Sequence, residues 1–253
     1  MIRRIRDWIT TIPTLVAFGL TLVVFDVAGR IALLFGRRPF EWVMAGLQWT
    51  LLKVFLLSGV HYRVEGSEHI EPHRGYLIIS NHQSMLDIPM FGGILVRNFP
   101  KYIAKRELGR GIPAVSLNLK HGGNALIDRG DRSQALGEIR RVAQEASERG
   151  TAVVIFPEGT RSRDGELGRF RTAGAASMLD AAPDLPVVPV AIDGSWKVYR
   201  DNMLPVPWGT DVRVRFGEPI PREGRRSSEV IAEARRWIEA TLAEWRDRSD
   251  VPS

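Results

Sequence analysis

The stretch Tyr76–Asp87 reads YLIISNHQSMLD, and it joins a run of apolar residues to a short polar turn. Its first four residues are apolar, which is typical of a strand that is buried on both faces of a sheet. The turn carries His82 and, five residues later, Asp87. On one continuous helix these side chains would point about 140° apart, because each residue adds about 100°. A strand that ends at Ser80 and a helix that begins near Ser84 would instead bring them together.

The same alternation of strand and helix patterns continues from residue 61 onward. Strands are predicted at Tyr62–Val64, Tyr76–Ser80, Lys101–Ala104, Ala125–Ile127, Ala152–Phe156, Val187–Ile192 and Val212–Phe216. Helices are predicted at Met85–Val96, Arg132–Arg149, Ala173–Ala181 and Ser228–Trp245. This order predicts an α/β fold, with a mainly parallel central sheet of about seven strands flanked by helices. In such sheets the ligand site lies at the carboxyl ends of the strands.

The first sixty residues have a different, membrane-like composition. Residues 8–25 and 42–52 carry no charge, and the connection Gly36–Pro39 between them is typical of a turn between two helices. A single span would separate the arginines near residue 4 from Arg37 and Arg38, against the cytoplasmic bias of arginine. We therefore predict a membrane-associated two-helix hairpin, monotopic or re-entrant, over residues 1–60, and an α/β domain over residues 61–253. The alternatives are a spanning segment, a cleaved signal peptide and a soluble core hairpin.

Composition narrows the classes of partner and cofactor. The net charge of +6 is compatible with an ordinary solvated basic surface, and the alternatives are binding of anionic lipid, nucleic acid or an acidic donor molecule. The basic residues are not interleaved with aromatic residues along a strand or loop, so a nucleic-acid surface is not predicted. The chain has no cysteine, and its five histidines lack the spacing of metal ligands, so no metal site is predicted.

His82 and Asp87 have the chemistry of a general base. A carboxylate beside an imidazole fixes its tautomer and stabilises the imidazolium that forms when the ring takes a proton. The sequence has no G-x-S-x-G motif, so no protein nucleophile accompanies the base. The activated hydroxyl should then belong to a substrate. The alternative is a histidine that caps the helix while Asp87 faces solvent.

A second polar turn follows the strand Ala152–Phe156. It contains Glu158, Gly159, Thr160 and Arg161, and its hydroxyl and guanidinium groups suit a phosphate ligand. The alternative is a surface turn with its arginines in water.

Two further basic residues lie at predicted strand ends. Lys105 follows the strand that begins at Lys101, and Arg129 follows the strand that ends at Ile127. Arg129 either pairs with Asp128 or Asp131 or contacts a ligand.

Four ordered blocks resemble those of the glycerolipid acyltransferase family, and most of all its bacterial 1-acyl-glycerol-3-phosphate acyltransferases. The blocks are Asn81–Asp87, Gly123–Arg129, Phe156–Ser162 and Val188–Ile192. The resemblance implies that His82 deprotonates the acceptor hydroxyl and that Asp87 orients it. It implies that Glu158, Gly159, Thr160 and Arg161 bind the phosphoglycerol part of the acceptor, with Arg129 and Lys105 near its phosphate.

The resemblance also implies a reaction and a location. The 2-hydroxyl of 1-acyl-glycerol-3-phosphate, a lysophosphatidic acid, would attack an acyl thioester of acyl carrier protein or coenzyme A, without a cofactor, and give phosphatidic acid. The enzyme would act on the cytoplasmic face of the cell inner membrane, with the lipid bilayer as a partner. The alternatives are a lyso-ornithine lipid or glycerol 3-phosphate as acceptor, a thioester hydrolase, and a non-catalytic membrane-binding protein.

Overall fold

The strands lie where the sequence predicts them. The computed structural model describes residues 2–200 and 202–249. Its strands are β1 (His61–Glu65), β2 (Tyr76–Ser80), β3 (Lys101–Lys105), β4 (Ala125–Ile127), β5 (Ala152–Ile155), β6 (Val187–Asp193) and β7 (Asp211–Phe216). Each bound agrees with the prediction within one residue.

The helices differ more from the prediction. They are α1 (Ile2–Leu33), α2 (Arg37–Phe55), α3 (Asp87–Ile94), α4 (Val115–His121), α5 (Arg132–Arg149), α6 (Thr172–Ala181), α7 (Ser195–Val198) and α8 (Ser227–Ser249). The expected start of α3 near Ser84 is wrong, because the polar turn extends to Asp87 itself. Helices α4 and α7 were not predicted.

The seven strands form one sheet in the order β1-β7-β6-β2-β5-β3-β4. All neighbours are parallel except β6 and β7, which are antiparallel, so the predicted mainly parallel sheet is confirmed. Strand β2 lies at the centre, and every one of its residues is buried. The carboxyl ends of β2, β3, β4, β5 and β6 therefore share one edge of the sheet.

Side chains of β2 alternate between two hydrophobic cores. Leu77 and Ile79 pack into the core that contains residues of α5, α6 and α8. Tyr76 and Ile78 pack into the core on the other face, which contains residues of α3 and the end of α2. The sheet is thus covered on both faces, as its continuous apolar runs require.

The two N-terminal helices form a hairpin. Both are long and apolar enough to cross a membrane by length and composition alone. The turn between them is shorter than predicted, because α2 already begins at Arg37. Pro39 therefore lies in the first turn of α2, where a missing N–H group costs no helical hydrogen bond.

Helix α2 packs closely against the strand and helix domain. A Cβ atom at Gly92 of α3 would lie 1.9 Å from Oε1 of Gln48 in α2. The two helices can therefore approach this closely only because position 92 has no side chain. The hydroxyl of Tyr102 in β3 donates to Oε1 of Gln48 over 2.7 Å. The chain changes from helices to strands at His61, and Phe55 of α2 is part of the core of the strand and helix domain.

A buried ion pair adds to this contact. Lys101 of β3 lies 2.7 Å from Glu41 of α2, and both side chains are almost completely buried. Burial alone would raise the pKa of Glu41, but the attraction of Lys101, Arg149 and Arg38 lowers it below its ordinary value. Removing one member of such a buried pair typically costs about 3–5 kcal/mol.

Candidate active site

The predicted contact between His82 and Asp87 forms at the carboxyl end of β2. Nδ1 of His82 lies 2.7 Å from Oδ2 of Asp87. The side chain of Asp87 is fully buried and that of His82 is 16% exposed. The alternative in which Asp87 faces solvent is therefore wrong, and the polar turn folds the imidazole back over the start of α3.

The Asp87 carboxylate is surrounded by hydrogen-bond donors. Oδ2 also accepts from the backbone N–H groups of Gln83 and Ser84, over 2.7 and 2.9 Å. Oδ1 accepts from the hydroxyl of Ser195 over 2.5 Å. A buried carboxylate with these donors can only accept from His82, so Nδ1 carries the proton and the lone pair of Nε2 is available. The arrangement provides a general base at Nε2.

The His82 ring and backbone are held by the turn that follows β5. The ring stacks on Phe156, with centroids 4.1 Å apart and an angle of 16° between the planes. The backbone N–H of His82 donates to Oε1 of Glu158 over 2.7 Å, and its carbonyl accepts from Ser162 N–H over 2.8 Å. The two polar turns that the sequence singles out are thus joined to each other.

Glu158 lies between two backbone donors. Its Oε2 accepts from the N–H of Gly168 over 2.8 Å, while Oε1 accepts from His82. Burial raises the pKa of the Glu158 carboxyl, and the two N–H donors oppose that shift. Both carboxylate oxygens are therefore engaged with the protein, in a position where the resemblance implies contact with substrate.

Asn81 fixes the start of the first polar turn. Its side-chain amide donates to the carbonyl of Ile192, and its Oδ1 accepts from the N–H of the same residue, both over 2.8 Å. This pair of bonds extends the contact between β2 and β6 by one step. The block Val188–Ile192 is accordingly a buried central strand that positions Asn81.

The predicted phosphate ligands lie at the same edge of the sheet as the His82–Asp87 pair. The guanidinium of Arg129 donates to the carbonyl of Gly159, which brings Arg129 to the turn after β5. Thr160 and Arg161 are exposed, and the Arg161 guanidinium lies 5.7 Å from the Tyr199 ring centroid. Lys105 is exposed at the end of β3, two strands or about 10 Å from β2.

In the described part of the chain, Arg129 does not pair with Asp128 or Asp131, so that alternative is wrong. Asp128 accepts from the N–H of Gly130, and Asp131 caps α5 by accepting from the N–H of Gln134. Aspartate is among the residues that helix N-caps prefer. Within residues 2–200 and 202–249, neither carboxylate forms an ion pair with Arg129.

Two contributors to the site were not predicted from the sequence. Phe156, on which the His82 ring stacks, was predicted only as the last residue of a strand. Ser195, which donates to Asp87, follows the end of β6 and lies 108 residues from Asp87 in the sequence. The available signal was position alone, since both follow parallel strands that end at the same edge as β2.

Comparison with known proteins supports the family resemblance that the four sequence blocks indicate. The family model described as Acyltransferase matches residues 61–193, which include both polar turns. The bovine protein named 1-acyl-sn-glycerol-3-phosphate acyltransferase alpha is 31% identical over 204 residues, covering 80% of this chain and 69% of the bovine protein. The Pseudomonas aeruginosa protein named 1-acyl-sn-glycerol-3-phosphate acyltransferase is 30% identical over 202 residues, covering 78% and 76%.

A solved structure extends the similarity to the whole chain. The crystal structure of the 1-acyl-sn-glycerophosphate (LPA) acyltransferase PlsC from Thermotoga maritima superposes with a TM-score of 0.79 at 25% identity. The alignment covers 99% of each chain, so it includes the N-terminal hairpin as well as the sheet.

Proposed function

The chain belongs to the acyltransferase family, and we propose that it moves a fatty acyl group from an acyl thioester to the 2-hydroxyl of 1-acyl-sn-glycerol 3-phosphate. The product is phosphatidic acid. The names of the bovine and Pseudomonas relatives support this acceptor. The single observation that carries the proposal is the His82–Asp87 pair, which leaves Nε2 of His82 available as a base.

The reaction is a direct transfer without a cofactor. Nε2 of His82 takes the proton of the acceptor hydroxyl as its oxygen attacks the thioester carbonyl carbon. The resulting tetrahedral intermediate collapses, the carbon–sulfur bond breaks, and the thiolate takes the proton from the imidazolium. Asp87 orients the ring and stabilises its positive charge while the proton is held.

The basic residues around the pair bind the acceptor phosphate. Arg161, Arg129 and Lys105 supply positive charge at the carboxyl edge of the sheet, and Thr160 supplies a hydroxyl group. Gly159 shapes the turn, since its N–H donates to the carbonyl of Phe156 and its own carbonyl accepts from Arg129. Glu158 contributes indirectly, because its carboxylate holds the backbone of His82. The net charge of +6 favours approach of an acidic acyl carrier protein or of the phosphates of coenzyme A.

Helix α1 holds the enzyme on the bilayer that contains the acceptor. Its exposed apolar residues recur every three or four positions along the helix and form one stripe: Ile5, Ile9, Ile12, Val16, Leu20, Val23, Val27 and Ile31. The opposite stripe contains Thr11, Thr14 and Leu22, which are buried against the rest of the protein. One exposed apolar stripe along a helix whose other side is covered by protein is the pattern of a helix that lies in the plane of one leaflet.

The length of α1 supports the same placement. Its 32 residues extend about 48 Å, well beyond the roughly 30 Å of a hydrocarbon core. On this placement the arginines at positions 3, 4, 6, 37 and 38 share one headgroup surface, and the bias of arginine favours the cytoplasmic side of the inner membrane.

The proposal is tested with purified protein in detergent. Formation of acylated product is measured for lysophosphatidate, a lyso-ornithine lipid and glycerol 3-phosphate, each with acyl carrier protein and coenzyme A thioesters. We expect product from lysophosphatidate at a kcat/KM at least about tenfold above the other acceptors. Product from another acceptor alone would overturn the proposed substrate, and loss of thioester without any acceptor would indicate a hydrolase.

A further inference from the structure

Ser195 reaches the site from a part of the chain that is remote in sequence from His82. It is the first residue of α7, directly after Gly194, whose φ of 88° lies in the left-handed region. A Cβ atom at position 194 would lie 2.1 Å from the carbonyl oxygen of Asp211, so this turn requires glycine. The turn brings the Ser195 hydroxyl to 2.5 Å from Oδ1 of Asp87, and both residues are fully buried.

The donors to the Asp87 carboxylate are unequally divided. Oδ2 accepts from His82, Gln83 and Ser84, which all belong to the turn that carries the imidazole. Oδ1 accepts from Ser195 at 2.5 Å and from the hydroxyl of Ser84 at 3.4 Å, which is long for a hydroxyl donor. Among the described residues, Ser195 is thus the one short donor to Oδ1.

A buried carboxylate oxygen that accepts no hydrogen bond is energetically unfavourable. The carboxylate can rotate or shift to find another partner, and either movement changes the position of Oδ2, which orients the ring. The other short hydrogen bonds all reach Oδ2, and besides Ser195 only the long contact of the Ser84 hydroxyl reaches Oδ1 among the described residues. The hydroxyl of Ser195 fixes the second oxygen from across the sheet edge.

We propose that Ser195 is a positioning residue for the acyl transfer, which holds the Asp87 carboxylate so that His82 presents Nε2 to the acceptor hydroxyl. This inference rests on the proposed role of His82 as the base. Among the described residues, the Ser195 hydroxyl donates to Asp87 and to none of the proposed phosphate-binding residues, so its loss should lower kcat and leave the acceptor KM unchanged.

A serine that only fills space would behave differently. Its removal would lower the free energy of unfolding, but the folded fraction would turn over at the normal rate. The kcat and the acceptor KM must therefore be measured together with the thermal unfolding midpoint. Ser177 offers a matched control, since it is also buried and its hydroxyl accepts from Nε of Arg140 over 2.9 Å in α5, away from the pair.

The experiment compares Ser195→Ala, Ser195→Cys and Ser195→Thr with Ser177→Ala. We expect Ser195→Ala to lower kcat at least about tenfold, because a charge-assisted hydrogen bond is lost, with the acceptor KM within about twofold. Ser195→Cys keeps the volume but has a weak donor, so it should also lower kcat. Ser195→Thr keeps the hydroxyl and should restore kcat to within about threefold, and Ser177→Ala should leave kcat unchanged.

A substrate-free measurement separates this inference from the proposed function. The His82 Nδ1 proton in its hydrogen bond to Asp87 gives a proton NMR resonance that is assigned by its loss in His82→Ala. We expect Ser195→Ala to shift or broaden this resonance and Ser177→Ala to leave it in place, whichever acceptor the enzyme uses. An unchanged resonance together with a kcat within twofold of the parent protein in Ser195→Ala and Ser195→Cys would overturn the inference.

Discussion

Glu158 is the residue at which the structure changes the expectation from sequence most. Resemblance to a lipid-processing family implies that it binds the acceptor, but both oxygens of its carboxylate already accept from backbone N–H groups. One of these N–H groups belongs to His82, so the glutamate fixes the backbone of the proposed base. The sequence could not reveal this contact, because the two residues lie 76 positions apart.

Replacing Glu158 with glutamine tests which role it has. In Glu158→Gln the side-chain NH2 would face the backbone N–H of either His82 or Gly168. Because both groups are donors, one of the two hydrogen bonds would be lost. We expect kcat to fall about 10–100-fold with little change in the acceptor KM, as measured in steady-state assays with lysophosphatidate.

Glu166 provides the control for this change. It lies in the same segment, is exposed and pairs with Arg246, so Glu166→Gln should leave both kinetic constants unchanged. An acceptor KM that rises strongly in Glu158→Gln at constant kcat would instead support direct binding of the acceptor.

At the scale of the elements, the N-terminal hairpin combines two roles. Helix α2 shares the core of the domain through Gln48, Tyr102 and the Glu41–Lys101 pair. Helix α1 packs on α2 with one stripe and exposes an apolar stripe on the opposite side. Deleting residues 1–60 would therefore expose the core, so the membrane contact must be tested by point substitutions on α1.

The triple variant Ile12→Asp, Val16→Asp and Val23→Asp should weaken binding to vesicles. Each wild-type side chain contributes about 2 kcal/mol when it is buried in lipid. We therefore expect the partition coefficient of the variant between vesicles and water to fall at least tenfold. Sedimentation with vesicles that contain anionic phospholipid measures this effect.

A second triple variant adds the same charge elsewhere. Ala232, Ala240 and Ser228 are exposed on α8, and their replacement by aspartate should change partitioning by less than twofold. Equal losses in both variants would mean that charge alone governs binding. Full binding by the α1 variant would contradict its placement in the bilayer.

At the scale of the whole molecule, the sequence predicts the sheet better than the site. Buried parallel strands are continuous apolar runs, which is why the bounds of β2 and β5 are predicted within one residue. Helix α7 has only four residues, too few to show a helical period, and α4 has seven. The ends of α1 extend past the uncharged stretch, since charged side chains such as Arg3 and Arg30 are readily accommodated on exposed helical positions.

The site divides in the same way between local and distant contacts. The His82–Asp87 contact follows from the local turn, so it was accessible to reasoning from spacing. The contacts of Ser195, Phe156 and Glu158 depend on which strands become neighbours, and that order is a property of the folded sheet. Short-range chemistry was therefore predicted, and the groups that position it were not.

The central claim is that His82 acts as the base, and the most direct measurement is the rate of phosphatidic acid formation by His82→Ala. The parent protein and the variant are compared at saturating lysophosphatidate and acyl thioester, with vesicle binding measured on the same samples. We predict a loss of at least about 1000-fold in kcat with unchanged vesicle binding, since the base and its orientation are both removed. A variant that binds vesicles and retains more than a tenth of the parental kcat would contradict the account.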